Sequence, residues 1–569
     1  MDALNPLDLH LHSALARMTA GASPIGLSLA FQDWLFHLAA SPGKQHELVA
    51  QLHKQALEWG ATAVSARSHP EEVASDARFA ENGWANWPFN VFAKAFVQTQ
   101  DFWQQATTGV RGVSPHHARV VKFAARQLMD IFSPSNFVLT NPEVLRASLD
   151  SKGHNYVAGW KHWLEDVKRL HPREAIAHKL AKPYSVGLHV ALTPGKVVYR
   201  NDLVELIQYT PQTGTVYREP VLIVPSWIMK YYILDLSEHN SLVRYLVGQG
   251  HSVFMVSWRN PGASDRNLGM DDYLHLGLLD VLQEVTRIGG KAPVHAVGYC
   301  LGGTLLAIAA AALGSGRHPG IADLKSVTLL AAQADFTDPG ELGLFINESE
   351  LAFLDAVMWE KGYLDGAQMA GSFQLLNSRD LFWSHNMRQY MLGVRTVPND
   401  MMAWNADTTR MPYRMHSEYL NRLFLHNDLA EGRYRVNGKV VALTDIKAPL
   451  FVLGTERDHV SPWRSVYKIH LLTHTEVDFV LAAGGHNAGI VSEPGHARRS
   501  YKVAPHRPVG AAYVAADEWL QIASKVDGSW WPHWQQWLVA HSDSERAEPA
   551  PMGAGVTLDD APGRYVLGT

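Results

Sequence analysis

VHAVGYCLGGT, Val294 to Thr304, holds the only cysteine in a chain of 569 residues. An apolar run, VHAVGY, leads into Cys300, and a second apolar run, LLAIAAAALG, follows it. The first is short enough for a buried strand and the second has the composition of a buried helix. Between them stands Gly298-x-Cys300-x-Gly302, the pattern of a strand–turn–helix elbow that presents a nucleophile, with cysteine at the position usually held by serine. The turn is tight, its central residue is strained, and neighbours with a Cβ would meet the adjoining strand and helix. The elbow sets the sulfur at a helix N-terminus, where the dipole and free N–H groups favour a thiolate. It also aims the Leu301 N–H at a developing oxyanion. The competing reading is a small buried thiol, the common fate of free cysteine; the strand–turn–helix setting favours the nucleophile.

Outward from the elbow, short apolar runs recur. VYREPVLIVPSWI, HSVFMVSW, APVHAVGY, SVTLLAA, APLFVLGT and VDFVLAAGG are each bounded by turn signals. Unbroken apolar runs suit strands covered on both faces. Helical stretches such as NSLVRYLVGQG and MDDYLHLGLLDVLQEVTRIGG alternate with them. The alternation predicts an α/β chain with a doubly wound, mostly parallel sheet, and the elbow makes it an α/β-hydrolase fold. This catalytic domain is expected over 186–540. Its rhythm breaks at about 340–440, an aromatic and Met-rich segment that reads as an inserted lid or cap. Residues 1–185 lack strand rhythm and read as a mostly helical domain. Ser23-Pro24 and Asn141-Pro142 are helix starts there, and Pro42-Gly43 a stop. Trp84 and Trp87 offer a docking surface or, on the simpler reading, pack onto the next domain. Residues 541–569, polar with Pro and Gly, read as an extended tail.

Composition excludes several classes. The chain is 47% hydrophobic and 18% charged, with a formal net charge of −5, so a nucleic-acid partner is not implied. One cysteine rules out an intrachain disulfide and a Cys-based zinc cluster, and it fits a reducing, cytoplasmic setting. No metal is expected. The N-terminus MDALNPLDLHLHSALARM does not read as a signal peptide, and no apolar run has the length of a membrane span.

A thiol nucleophile needs a base, and the base an orienting acid; in this fold they follow the nucleophile in the order acid, then histidine. Asp458 in FVLGTERDHVSPW and His486 in FVLAAGGHNAG each fall just past an apolar strand. Strand C-termini are where open α/β sheets build their sites. Glu456, Asp335 and Asp407 are rival acids, better read as turn and cap residues. His459 reads as structural. The second oxyanion donor belongs in the loop after the first of these strands, VPSWIMKYY, at the backbone N–H of Ile228 or Trp227.

These residues, taken with further blocks, identify a resemblance. TPGKVVYRNDLVELIQYTP, KYYILDL, NSLVRYLVGQGHSVFMVSWRNP, GYCLGGT, DFTDPGELG, WNADTTR, RDHVSPWRSVYKI, GGHNAGIV and GSWWPHWQQWL resemble blocks of the polyhydroxyalkanoate synthases. The likeness covers most of the chain and is greatest to the class I type, which uses short (R)-3-hydroxyacyl-CoA. It maps the family's nucleophile, aspartate and histidine onto Cys300, Asp458 and His486. It implies a homodimer at the surface of cytoplasmic polymer granules, with the first third of the chain serving both contacts. It implies no cofactor, CoA being part of the substrate, and no second subunit. Three positions depart from the family pattern: PSWIMKYY stands where many members have PPWINKYY, Gly262 where an acidic residue is usual, and Asn487 where Ile is frequent.

The chemistry so implied is acyl transfer. Cys300 attacks the thioester, CoA leaves, and the 3-hydroxyl of another acyl unit, activated by His486, takes the acyl group. Water must be kept out, and Phe382, Trp383 and Trp404 are candidate covers or ordinary lid packing. Arg259 and Arg410 are candidate contacts for CoA phosphates or structural ion pairs. A cysteine-dependent hydrolase (a thioesterase or esterase) and a non-catalytic granule protein are the competing readings, and fold and triad alone do not separate the first from a synthase.

Overall fold

The computed structural model describes residues 5–19, 23–65, 71–169, 184–316, 320–366, 368–369, 383–395, 397–506 and 508–568. The chain divides into two compact units. The larger, Met1–Leu15, Pro183–Met369 and Pro398–Thr569, is built on an 11-stranded sheet. Its strands in chain order are β1 Gly195–Arg200, β2 Val204–Tyr209, β3 Val221–Val224, β4 Val253–Trp258, β5 Val294–Tyr299, β6 Leu324–Leu330, β7 Leu450–Thr455, β8 Val477–Ala482, β9 Ser500–Val503, β10 Ser524–Asp527 and β11 Asp559–Asp560. Their spatial order is β10-β9-β8-β7-β6-β5-β3-β4-β2-β1-β11.

Strands β4, β3, β5, β6, β7 and β8 run parallel. They are the six apolar runs read from the sequence. Every residue of β3, β4, β5 and β7 is buried, as strands covered on both faces require. The antiparallel margins, β9-β10 on one side and β2-β1-β11 on the other, complete the sheet. From β3 the chain moves to β4 on one side and to β5 on the other, so the winding reverses at β3. The crevice beyond the C-terminal ends of β3 and β5 is therefore the topological switch point, where such sheets bind ligands.

Helix Leu301–Gly314 follows β5 at once and is buried from Leu301 through Ala312. Its leucines, alanines and isoleucine face apolar neighbours all round, which is why no amphipathic stripe appears in its sequence. Between β6 and β7, adjacent and parallel in the sheet, the chain makes its long insertion. Helices Glu348–Lys361, Asp400–Asn405 and Tyr413–Tyr419 lie in it.

The smaller unit comprises Ala16–Lys182 and Ala370–Val397, and its described secondary structure is helical. Ser23 Oγ accepts from Gly26 N at 3.2 Å and opens helix Pro24–Ala39; Pro42 then starts the next helix, Pro42–Ala63. Asn141 Oδ1 accepts from Glu143 N at 2.9 Å and caps helix Pro142–Asp150. Lys152 and Gly153, both at positive φ, separate that helix from the next, His154–Arg169. Trp84 is buried within this unit, edge-on to Phe79 at 4.8 Å, so it is core. Trp87 is 60% exposed.

Three expectations of domain layout are corrected. Residues 370–397 of the insertion group with the helical unit; in their described part, helix His154–Arg169 holds Tyr390, Met391 and Arg395. Asn155 Nδ2 donates to Met391 O at 2.7 Å, and Arg395 Nη2 to Asp166 Oδ1 at 3.0 Å. Gly159 admits the Tyr390 carbonyl where a Cβ would lie 1.9 Å from it. Residues 1–15 group with the sheet unit; the His12 ring stacks on Phe353 at 5.3 Å. The segment 541–569 is not an extended tail: it adds β11 to the sheet edge. The buried Glu205 carboxylate draws it in, accepting the N–H groups of Arg564 and Tyr565 at 3.0 Å each.

Among the described residues no helix is long and apolar enough to cross a membrane.

Candidate active site

Cys300 stands between β5 and helix Leu301–Gly314 with φ 54° and ψ −123°, a strained region for a residue with a Cβ. The surroundings hold it there. Its N–H donates to Leu330 O at 2.9 Å, and its carbonyl accepts from Gly303 N at 2.9 Å and Thr304 N at 3.1 Å. The glycines around it are required by contact. A Cβ on Gly302 would lie 2.2 Å from Val224 O, one on Gly298 2.4 Å from Gly303 Cα, and one on Gly303 2.4 Å from Ala332 Cβ. The elbow is thus packed backbone to backbone against the end of β3. The Leu301 N–H has no acceptor among the described residues, as expected of the first N–H of a helix.

Asp458 follows β7 and His486 follows β8. His486 Nδ1 lies 2.7 Å from Asp458 Oδ2. Asp458 also accepts from Thr455 Oγ1 at 3.0 Å, Val460 N at 2.9 Å and Ser461 N at 2.7 Å. Burial raises the Asp458 carboxyl pKa, but the charge and hydrogen bond of His486 and the two N–H groups outweigh it and hold the carboxyl below its usual range. Burial likewise opposes the imidazolium of His486, yet the Asp458 charge, the Cys300 thiol and hydrogen bonds to both raise its pKa well above the ordinary value. With Nδ1 committed to Asp458, Nε2 is the nitrogen left for the thiol.

The histidine loop is fixed from beneath. Gly484 has φ 125°, and a Cβ there would lie 2.9 Å from Gly489 N. Trp530 Nε1 donates to Gly489 O at 2.9 Å and Trp531 Nε1 to Ile490 O at 3.0 Å. The paired tryptophans of GSWWPHWQQWL are therefore struts for the loop that carries His486.

The other sequence candidates have separate employment. Asp335 accepts from Thr337 N at 2.8 Å, Asp407 from Tyr232 Oη at 3.0 Å, and Glu456 pairs with Lys502 at 2.6 Å. The His459 side chain is exposed. Arg259 is held in a fork by Asp265 at 2.8 and 3.1 Å, and Asp265 also accepts from Gly262 N at 2.7 Å. Arg410 lies over the Tyr363 ring at 4.8 Å. Ile228 N points to Ser226 Oγ at 3.4 Å, a long contact. The Trp227 side chain is buried, edge-on to Trp258 at 5.5 Å. Trp404 is no cover: its Nε1 donates to Lys230 O at 2.8 Å and its ring belongs to the core. Trp383 is partly buried in the helical unit, and Phe382 lies outside the described residues.

Two neighbours of the thiol escaped the sequence reading. The phenol of Tyr419 is raised by burial and then by charge on Cys300. Its helix passes directly into the wider π-turn Leu420–Leu425, a local irregularity frequent at functional sites. Tyr299, next to Cys300, reaches Asn487, next to His486 (Oη to Oδ1, 2.5 Å). Among the described residues one cluster has the makings of a metal site, Glu476, Asp478 and His506. It lies at the N-terminal end of β8, the opposite end of that strand from His486.

Comparison with known proteins gives a consistent picture. Residues 2–44 match the model described as poly-beta-hydroxybutyrate polymerase N terminal. Residues 75–246 match poly-beta-hydroxybutyrate polymerase (PhaC) N-terminus, and 219–493 match alpha/beta hydrolase fold. The poly(3-hydroxyalkanoate) polymerase of Methylorubrum extorquens is 38% identical over 86% of this chain and 80% of its own length. The poly(3-hydroxyalkanoate) polymerase subunit PhaC of Rhizobium etli is 36% identical over 87% and 77%, and that of Cupriavidus necator 35% over 86% and 83%. Among solved structures, a soluble variant of monoglyceride lipase from Saccharomyces cerevisiae aligns with 64% of this chain and 99% of its own, at 13% identity and a TM-score of 0.36. With relatives of this identity matched along most of both chains, the protein belongs to the poly(3-hydroxyalkanoate) polymerase family and carries its alpha/beta hydrolase fold.

Proposed function

We propose that the protein polymerises (R)-3-hydroxyacyl-CoA, of short chain such as 3-hydroxybutyryl-CoA, through an acyl group carried on Cys300. The observation that supports this most is the lone cysteine at a helix N-terminus, beside a His486 already paired with a buried Asp458, in a chain of this family. His486 Nε2 takes the thiol proton as Sγ attacks the thioester carbonyl. The oxyanion is met by the Leu301 N–H and by that of Ile228 once it leaves Ser226. The intermediate collapses, the C–S bond to CoA breaks, and the proton on His486 passes to the departing thiolate. In the second step His486 takes the proton of a 3-hydroxyl, whose oxygen attacks the acyl carbon and displaces Cys300, and the chain grows by one ester. The reading requires no metal and no cofactor beyond the CoA of the substrate.

The same reading makes the helical unit a contact surface, for a second copy of the chain and for the surface of the polymer granule in the cytoplasm. Ile25, Leu27, Phe31 and Phe36 on helix Pro24–Ala39 are all exposed, which supports a buried partner there.

Incubation with (R)-3-hydroxybutyryl-CoA, following CoA release and turbidity, tests the activity. Insoluble polyester is expected, and Cys300→Ala is expected to release CoA at least about 10³-fold more slowly. Release with only soluble hydroxybutyrate makes the protein a thioesterase. Undiminished release by Cys300→Ala removes the covalent step.

A further inference from the structure

The catalytic pair sits on strands that do not touch. Cys300 follows β5 and His486 follows β8, and β6 and β7 lie between them in the sheet. Ladder hydrogen bonds set the register of neighbouring strands only, so a direct tie across this gap has to come from side chains.

One such tie joins the residues flanking the pair. The Tyr299 phenol donates to Asn487 Oδ1 at 2.5 Å. Tyr299 is 2% exposed and packed in the main core, and its ring centre is 5.6 Å from that of His486. Burial first, then charge on Cys300 and Asp458, raise the phenol well above its ordinary pKa, so it stays a donor. Asn487 is fixed at its backbone too, since its carbonyl accepts from Ile490 N at 3.1 Å and Val491 N at 3.0 Å. Neither end of the tie is a loose surface group.

We propose that Tyr299 and Asn487 form a positioning pair that holds His486 against Cys300 across β6 and β7. The inference rests on the proposed roles of Cys300 and His486 and deepens them. Its use lies in the second half of the cycle. Once Cys300 carries an acyl group it has no thiol proton to share with His486, and the contact between them is lost. The Tyr299–Asn487 bond persists and keeps the imidazole in place for the incoming hydroxyl. A displacement of the base by about 1 Å is enough to slow such a step by up to about 10²-fold.

The test uses Tyr299→Phe, Asn487→Leu and the double variant, each close to isosteric, in the full-length protein. Each single substitution is expected to lower kcat for CoA release from (R)-3-hydroxybutyryl-CoA about tenfold, with KM held within about twofold. The double variant is expected to lose no more than the worse single one, because both break the same bond. Cys300 is the sole thiol, so the pH profile of its alkylation by iodoacetamide reads its coupling to His486 directly. In the variants alkylation at a fixed pH is expected to slow. Losses that add in the double variant, or that follow Tm while the alkylation profile stays put, overturn the positioning role. Wild-type kcat and profile in all three, beside an inactive Cys300→Ala, overturn the pair alone. An active Cys300→Ala overturns instead the reading on which the pair depends.

Discussion

Asp458 shows how much one side chain is asked to do. It accepts two backbone N–H groups, the Thr455 hydroxyl and His486, with its carboxylate sealed from water. Asp458→Asn keeps the shape but offers Nδ1 of His486 a group that can present the wrong tautomer partner. CoA release is expected to fall about 10³-fold or more, measured at saturating substrate. The linked stability has a defined sign. His486 is raised above its unfolded value near 6.5, so its pairing adds stability that is complete below about pH 6.5 and is lost as the pH climbs through the raised value. Asp458 is lowered, so its share is complete above about pH 4 and is lost on acidification through its folded pKa. The Tm gap between parent and Asp458→Asn is therefore expected to be wider at about pH 6 than at about pH 10. A gap that widens with pH contradicts the pairing.

At the scale of elements, the elbow is a contact between backbones. Gly302→Ala would set a Cβ 2.2 Å from Val224 O and 2.6 Å from Pro225 O, with no side chain free to yield. A loss of about 2–3 kcal/mol or more is expected in denaturant melts, whereas Gly43→Ala, with nothing within 4 Å, leaves stability nearly unchanged. The strut helix Trp531–Ala540 acts on the loop of His486. Trp531→Phe removes the donor to Ile490 O, so a loss of about 1 kcal/mol is expected. A fall in kcat with KM steady is expected beside it, read from CoA release. An unchanged kcat would limit Trp531 to packing.

Across the whole molecule, the large core carries histidines that must stay neutral. Burial lowers His251 to about 4 and His416 to about 4. It lowers His295, bonded to Ser326 Oγ at 2.7 Å and Ser542 Oγ at 3.0 Å, to about 3. Their folded values lie below the unfolded one, so stability is complete above about pH 6.5 and drains away as the pH falls toward those values. Denaturant midpoints are expected to drop between about pH 7 and about pH 4.5. His295→Gln, which carries no proton in that range, is expected to flatten the drop. A midpoint indifferent to pH there excludes the effect.

The sequence alone determined the six parallel strands, because a strand covered on both faces is apolar at every position, as VLIV at 221–224 is. It also placed Cys300, Asp458 and His486 at strand ends, through one short glycine pattern and the order of strands after it. The marginal strands were hidden. In β2 the residues Glu205 and Gln208 look like surface positions, yet both are buried, because the C-terminal segment supplies N–H partners to each: Arg564 and Tyr565 to Glu205, Gly553 to Gln208. That segment itself read as loose for the same reason, its partners being some 350 residues away in the chain. Only the tertiary structure decided that Trp404 faces the core and that 370–397 joins the helical unit. The same holds for Tyr299 meeting Asn487. Local pattern records what a residue's own turn or strand demands; a contact between distant segments leaves its mark in two places at once, and neither place shows it alone.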